Sequence, residues 1–162
     1  MSEIKTYYAF EQRYPFQTEN LISEVEVYPD PAKNPDKSAK IRAKWDTGAN
    51  HTIISVDLMK RLNLIPIDSE VISGVGGSQV IDVVRLAVKL PNDLFISSKH
   101  IGVCSINSAQ KIDILIGMDI IQHGDFHISN TGGKTRFSFV IPSLPRPFSL
   151  AEEADKLNEQ TR

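Results

Sequence analysis

The most informative residues for chemistry are the tetrapeptide Asp-Thr-Gly-Ala at residues 46–49, which lies between two segments with strand-like patterns. Residues 39–45 alternate apolar and polar side chains, and residues 52–55 form a short apolar run. Both patterns indicate β-strands. Asp46 therefore places a carboxyl group, which can take up or release a proton, at a turn between strands. The alternative is that Asp46 only begins an ordinary turn, because aspartate and glycine both favour turns.

Two glycine-containing motifs follow downstream. Residues 112–116 are a continuous apolar run, the pattern of a strand buried on both faces, and the run continues into Gly117-Met118-Asp119. Between this run and the tetrapeptide lies Gly-Val-Gly-Gly-Ser at residues 74–78. These glycines do not fit a phosphate-binding loop, since no Lys-Ser/Thr follows them and no strand–loop–helix setting surrounds them. The ordinary-turn interpretation of Asp46 leaves the motif at Gly117 unexplained.

Together these motifs resemble those of the retropepsin-like aspartic proteases, the single-domain homodimeric relatives of pepsin. The stretch Asp-Thr-Gly-Ala-x-x-Thr-x-Ile-Ser at residues 46–55 is similar to their active-site loop. The motif ending at Gly117 resembles the apolar-apolar-Gly motif that passes behind this loop, and residues 74–78 lie where the family has its flap. The resemblance covers residues 22–141 and implies a closed, β-barrel-like acid-protease fold.

The resemblance implies an aspartic endopeptidase. In that chemistry two adjacent carboxyl groups share one proton. The ionised carboxyl activates a water molecule as general base, and the protonated one polarises the scissile carbonyl. This chain contains the motif once, whereas pepsin-like enzymes carry it twice in a chain about double the length. The second Asp46 must then come from another copy of the chain, and we expect a two-fold symmetric homodimer acting on a peptide or protein substrate.

Roles for individual residues follow from the same resemblance. The catalytic loop is assigned to Asp46, Thr47 and Gly48, and the Thr47 hydroxyl is expected to bond to the partner's backbone across the dimer axis. Structural support under the loop is assigned to Ile116 and Gly117. Substrate binding is assigned to the floor of the cleft and the tip of the flap, namely Ala49, Asn50, Gly74, Val75, Gly76 and Gly77. No cofactor and no metal ion is expected.

The sequence departs from the family pattern at several positions. Trp45 is bulkier than the aliphatic residue expected directly before the catalytic aspartate. Some viral members have an ion pair at the positions of Asn50 and Met118, and both charges are absent here. The two missing charges fit a coupled replacement. A second hypothesis is a non-catalytic, dimeric peptide-binding or scaffold module that retains the retropepsin fold, because the long terminal segments could cover the cleft. The intact Asp-Thr-Gly favours the peptidase, because a binding module would be free to lose Asp46.

The other residues that could carry chemistry have ordinary structural interpretations. His123 and His127 are four residues apart, but Gly124 interrupts any helix that would bring them together around a metal ion. Asp113 and Asp119 fit turn formation and helix capping. Cys104 is the single cysteine, so an intrachain disulfide is excluded, and its apolar strand predicts a core position.

The composition fits one domain with a hydrophobic core. The chain has 162 residues, of which 41% are hydrophobic and 23% are charged. A formal net charge of −2 without a basic cluster argues against a nucleic-acid partner. The N-terminus does not have the pattern of a secretory signal, and no apolar stretch approaches the roughly 18 residues of a membrane span. We therefore expect a cytoplasmic protein without a membrane partner.

The elements that must position these residues are short strands with a few short helices, which predicts an all-β fold class. Alternation predicts a strand at 22–28 that pairs with 39–45, and glycine-centred hairpins are predicted within 70–90 and 126–141. We divide the chain into an aromatic-rich N-terminal extension at 1–21, a retropepsin-like domain at 22–141, and a C-terminal extension at 142–162. Ser55 is predicted to cap a short helix that runs to Leu62, and a capping box at Ser149 predicts a short helix in the last segment.

Overall fold

A computed structural model describes residues 6–33, 36–74, 77–106 and 110–160 of the chain. Its elements are mostly short strands, as the sequence predicts. In chain order they are β1 (Tyr8–Arg13), β2 (Ile22–Tyr28), β3 (Ala39–Trp45), β4 (Ile53–Ser55), α1 (Val56–Arg61), β5 (Asp68–Gly74), β6 (Gly77–Lys89), β7 (Phe95–Cys104), β8 (Ile114–Ile116), α2 (Met118–Ile121), β9 (Asp125–Ser129), β10 (Arg136–Ile141) and α3 (Leu150–Gln160).

Seven strands form one sheet in the order β2–β3–β8–β4–β7–β6–β5. An additional pairing of β2 with β6 closes six of these strands into a ring and leaves β5 outside it. The inward-facing residues of the ring form the core, because each strand places alternate side chains on opposite faces. Fully buried examples are Val27, Ile54, Val84, Leu86, Ile101, Ile114 and Ile116. This ring confirms the all-β fold class and is compatible with the closed architecture expected from the sequence.

A second sheet of three strands, in the order β1–β10–β9, packs against the ring through aromatic side chains. Trp45 at the end of β3 is only 3% exposed, and its indole N–H donates to Ser23 Oγ at 2.9 Å. Its ring centroid lies 5.1 to 5.9 Å from those of four phenylalanines, namely Phe10, Phe126, Phe137 and Phe139. The bulk of Trp45 is thereby explained, since it fills the space between the two sheets.

The first part of the chain belongs to this packing. β1 pairs in antiparallel register with β10, from Tyr8↔Ile141 to Arg13↔Arg136. The Tyr14 hydroxyl donates to the carbonyl oxygen of Ile22 at 2.6 Å and accepts from the Ile22 N–H at 2.5 Å. Burial raises the pKa of the Tyr14 phenol above its ordinary value, which favours the neutral form that makes both bonds. Phe10 and Tyr14 therefore pack on the core, whereas Tyr7, Tyr8 and Phe16 are exposed.

Both predicted helix caps are confirmed. Ser55 Oγ accepts from Leu58 N–H at 3.0 Å at the start of α1, and Ser149 Oγ accepts from Glu152 N–H at 3.3 Å at the start of α3. The strand predicted at 112–116 is shorter and begins at Ile114, because the chain turns at Lys111, where φ is 53°. The core position predicted for Cys104 is wrong: this residue ends β7, is half-buried, and its Sγ accepts from Gln79 Nε2.

Candidate active site

The loop that carries Asp46 begins directly after β3. The Asp46 N–H donates to the carbonyl oxygen of Ile116 at 2.9 Å, which extends the parallel pairing of β3 with β8. The Asp46 carbonyl accepts from Ala49 N–H at 3.2 Å, and its Oδ1 accepts from Gly48 N–H at 2.9 Å. These bonds orient the Asp46 carboxyl group within its own loop. Asp46 is half-buried, while Thr47 and Gly48 are exposed beside it.

Gly48 and Gly117 both permit close approaches at this loop. A Cβ atom on Gly48 would lie 3.2 Å from Asp46 Oδ1, which is a tight contact for the carboxyl. On Gly117 it would lie 2.7 Å from the carbonyl carbon and oxygen of His51 and 2.9 Å from the carbonyl oxygen of Ala49. Because these atoms belong to the backbone, only glycine fits at position 117 without displacing the loop. The close packing of Gly117 under the loop is therefore present, as the family resemblance implied.

Backbone bonds continue the contact on both sides of Gly117. The carbonyl oxygen of Ala49 accepts from Met118 N–H at 2.8 Å, and that of Asn50 accepts from Asp119 N–H at 3.1 Å. Ala49 and Asn50 thus bond through their backbone to the first two residues of α2, where the sequence lacks the charged pair of some viral relatives. Ala49 is half-buried and Asn50 is exposed. The second half of the loop is consequently fixed to the start of α2.

Thr52 and Asp119 form a support that the sequence reasoning did not assign. The Thr52 side chain is fully buried, and its Oγ1 donates to Asp119 Oδ1 at 2.7 Å and accepts from Gly117 N–H at 3.1 Å. Asp119 Oδ1 also accepts from Ile120 N–H at 3.0 Å; Asp119 lies in the first turn of α2, whose N-cap is Gly117. Thr52 belongs to the Asp-Thr-Gly-Ala-x-x-Thr motif, which could have pointed to a role at the site. Its partner Asp119, however, lies 67 positions away in the chain.

The hairpin of β5 and β6 is the element that the sequence assigned to the flap. Its strands pair from Asp68↔Val83 to Gly74↔Gly77, and Ser73 Oγ lies 2.8 Å from Ser78 Oγ near the tip. Gly77 has a φ of 105°, a conformation that favours glycine. The predicted binding residues Val75 and Gly76 lie outside the described residues. The structure thus places Gly74 and Gly77 at the end of a two-stranded hairpin.

Other candidate sites gain no support. His123 follows α2 in a turn and His127 lies on β9, so they do not share a helix. Asp113 forms an ion pair with Arg61 at 2.9 Å. In the described part of the chain, no group of three or more His, Cys, Asp or Glu residues is placed to hold a metal ion. Within the same ranges, no helix is long and apolar enough to cross a membrane.

Comparison with known proteins gives the family of this chain. Residues 34–120 match the family model described as "Aspartyl protease". This match covers more than half of the 162 residues and includes both the Asp46 loop and Gly117. The chain therefore belongs to this aspartyl protease family. No curated protein sequence matches the chain.

Solved structures give the fold. A retropepsin-like aspartic protease from Rickettsia conorii is similar with a TM-score of 0.52 and 13% identity, over 84% of this chain and 96% of that chain. This similarity confirms the predicted retropepsin-like fold. The simian foamy virus protease has a TM-score of 0.43 and 20% identity, over 63% of this chain and 92% of that chain. An EIAV protease complexed with an inhibitor has a TM-score of 0.46 and 18% identity, over 64% of this chain and 86% of that chain.

Proposed function

We propose that this protein is a homodimeric aspartic endopeptidase in which each copy contributes one Asp46 carboxyl group to a shared site. The observation that carries the proposal is the loop itself. A single carboxyl per chain is oriented by Gly48 N–H at a half-buried position, beside the exposed residues Thr47 and Gly48. An exposed loop of this shape allows a second copy to approach along a two-fold axis, which brings two carboxyl groups together.

In the proposed dimer the two carboxyl groups hold one proton between them, because adjacent carboxylates repel each other. The ionised carboxyl takes a proton from a water molecule while the water oxygen attacks the scissile carbonyl carbon. The protonated carboxyl donates a hydrogen bond to the carbonyl oxygen, and a proton then passes to the leaving amine as the C–N bond breaks. Since one group must be ionised and the other protonated, the rate should fall at both low and high pH.

The substrate of this reaction is a peptide or protein segment that binds in an extended conformation between the loop and the hairpin. Backbone bonding to an extended peptide gives affinity, and pockets for alternate side chains give selectivity. The binding roles of Ala49, Asn50, Gly74 and Gly77 stay predictions, as does the role of Thr47 across the dimer axis. The position of the hairpin on the ring, described below, supports this arrangement.

The decisive experiment incubates a diverse peptide library with the wild-type protein and with Asp46→Asn. This change keeps the size of the side chain and removes the carboxyl from both subunits at once, so cleavage should be abolished while the fold persists. Asp155→Asn, on the exposed helix α3, is the matched control and should cleave normally. Cleavage that persists in Asp46→Asn would place the chemistry elsewhere. A wild-type protein that binds peptides without cleaving them would favour the binding module.

A further inference from the structure

Glu70 and His100 connect the outer strand of the β5–β6 hairpin directly to the ring. In the part of the chain that the structure describes, β5 has β6 as its single strand neighbour, and β7 lies on the far side of β6. Glu70 on β5 nevertheless reaches β7, where its Oε2 lies 2.6 Å from His100 Nε2. This contact therefore spans the middle strand and joins the first and third strands of the sheet edge.

The contact lies where the hairpin leaves the body of the domain. Glu70 pairs in register with Ile81, which is 6% exposed. The next pair toward the tip, Val71 and Val80, is 67% and 71% exposed. Nearer the tip than Ile81, Gln79 on β6 also contacts the ring, because its side-chain amide donates to Cys104 Sγ on β7 at 3.1 Å. The Glu70–His100 pair thus lies at the base of the projecting part of the hairpin.

Gly102 on β7 has no side chain, which leaves space for Ile81 and Glu70 where the hairpin joins the ring. A Cβ atom at Gly102 would lie 2.6 Å from Ile81 Cδ1, 3.0 Å from Ile53 Cγ2 and 4.0 Å from Glu70 Oε1. Glu70 Oε1 is buried and accepts no hydrogen bond from a described residue. A buried carboxylate oxygen without a partner is costly, so the Glu70 carboxylate depends on the bond that His100 makes to its other oxygen.

His100 also lies next to the loop that carries Asp46. Its ring centroid is 6.3 Å from that of His51, with an angle of 59° between the ring planes. His51 is the residue whose backbone carbonyl packs against Gly117 under the loop. Contacts therefore run from the hairpin through Glu70 and His100 to His51 in the loop that carries Asp46.

We propose that Glu70 and His100 are positioning residues that hold the β5–β6 hairpin at its working distance from the catalytic loop. The proposal rests on the proposed function, because hairpin placement affects turnover only where a peptide binds beneath the hairpin. In the free protein, the fraction of molecules with a correctly placed hairpin sets the apparent affinity for the peptide. A bound peptide itself bonds to the hairpin, so loss of the pair should raise KM more than it lowers kcat.

The test compares Glu70→Ala, His100→Ala and the double variant with the wild-type protein, because alanine removes the contact from either side, whereas glutamine at position 70 would still offer an oxygen to the imidazole. We expect KM to rise about threefold in each variant, as for the loss of one partly exposed hydrogen bond. Amide hydrogen exchange in residues 71–74 and 77–80 should accelerate by about the same factor, while exchange in β2 and β3 stays unchanged and shows that the fold is intact. The double variant should be no worse than either single variant, because both changes remove the same contact.

Asp82→Asn is the matched control, since Asp82 lies on β6 of the same hairpin and its side chain is exposed. It should leave both KM and hairpin exchange at wild-type values. Unchanged hairpin exchange in Glu70→Ala and His100→Ala would overturn the proposal, as would strictly additive effects in the double variant. The exchange measurement needs no activity. It therefore tests whether the Glu70–His100 pair holds the hairpin even if the Asp46→Asn variant still cleaves peptides and the proposed function is refuted.

Discussion

The loop that carries Asp46 and the β5–β6 hairpin are held in opposite ways, although the sequence assigned both to the same site. The loop at residues 46–51 lies against Gly117 and the start of α2, with main-chain bonds from Ile116, Met118 and Asp119. The hairpin has one strand in the ring, through the pairing of β6 with β7, and its outer strand is joined to the ring by the Glu70–His100 pair.

This difference sets a loop fixed by close backbone packing against a hairpin that projects from the ring. Backbone atoms packed against a glycine leave little freedom, so the position of Asp46 follows from the core of the fold. A hairpin that projects with exposed valines has few buried contacts, and such segments open at low free-energy cost. Substitutions at the buried contacts under the loop should therefore reduce the stability of the whole domain, whereas substitutions in the hairpin should have little effect on stability.

Gly117→Ala is the strongest test of this comparison. The added Cβ would meet backbone atoms of His51 and Ala49 at 2.7 to 2.9 Å, and backbone cannot move away as a flexible side chain can. We expect the free energy of unfolding in urea to fall by about 3 kcal/mol, the upper end of the range for overpacking.

The matched control is Gly77→Ala in the hairpin. Its Cβ would have no atom within 4 Å, so the cost comes only from the φ of 105° and should be about 1 kcal/mol. Equal losses of stability in the two alanine variants would break the comparison, because the loop would then be no more tightly held than the hairpin.

Thr52→Val should have the next largest effect. The hydroxyl of Thr52 bonds both to Gly117 N–H and to the Asp119 carboxylate, and valine keeps the volume while leaving both groups without this partner. Burying unsatisfied polar groups should lower the free energy of unfolding by about 2 kcal/mol. Thr52→Ser keeps the hydroxyl and should lose clearly less stability. Identical losses for valine and serine would mean that the methyl contacts, rather than the hydroxyl, support the loop.

Much of this fold could be predicted from local sequence patterns. Alternation defined β2 and β3, the glycines and prolines marked the turns, and Ser55 and Ser149 marked the helix starts. These signals act over a few residues, so they are visible without knowledge of tertiary contacts. The assignment of Asp46 and Gly117 to one site required the family resemblance, since nothing local in either segment points to the other.

The features that the sequence did not reveal depend on contacts between distant segments. In the sequence Trp45 is only a departure from the family pattern. In the structure it packs against four phenylalanines of the three-stranded sheet, which come from distant parts of the chain. Glu70 and His100 are 30 positions apart and lie on strands that do not pair with each other. No periodicity reports such a contact, because it depends on how the sheet bends and on the missing side chain of Gly102.

Thr47→Ala should have the smallest effect on the fold, and it tests the part of the loop that faces outward. The Thr47 side chain is exposed, and its hydroxyl makes no hydrogen bond to another residue within the described ranges of its own chain. Alanine should therefore leave the unfolding of the single chain almost unchanged. In the proposed dimer the change removes two symmetric bonds of about 0.5–1.5 kcal/mol each, so the dimer Kd should rise roughly tenfold in sedimentation equilibrium. Thr47→Ser keeps the hydroxyl and should stay near the wild-type Kd; if the alanine variant also does so, Thr47 does not bond across the dimer axis.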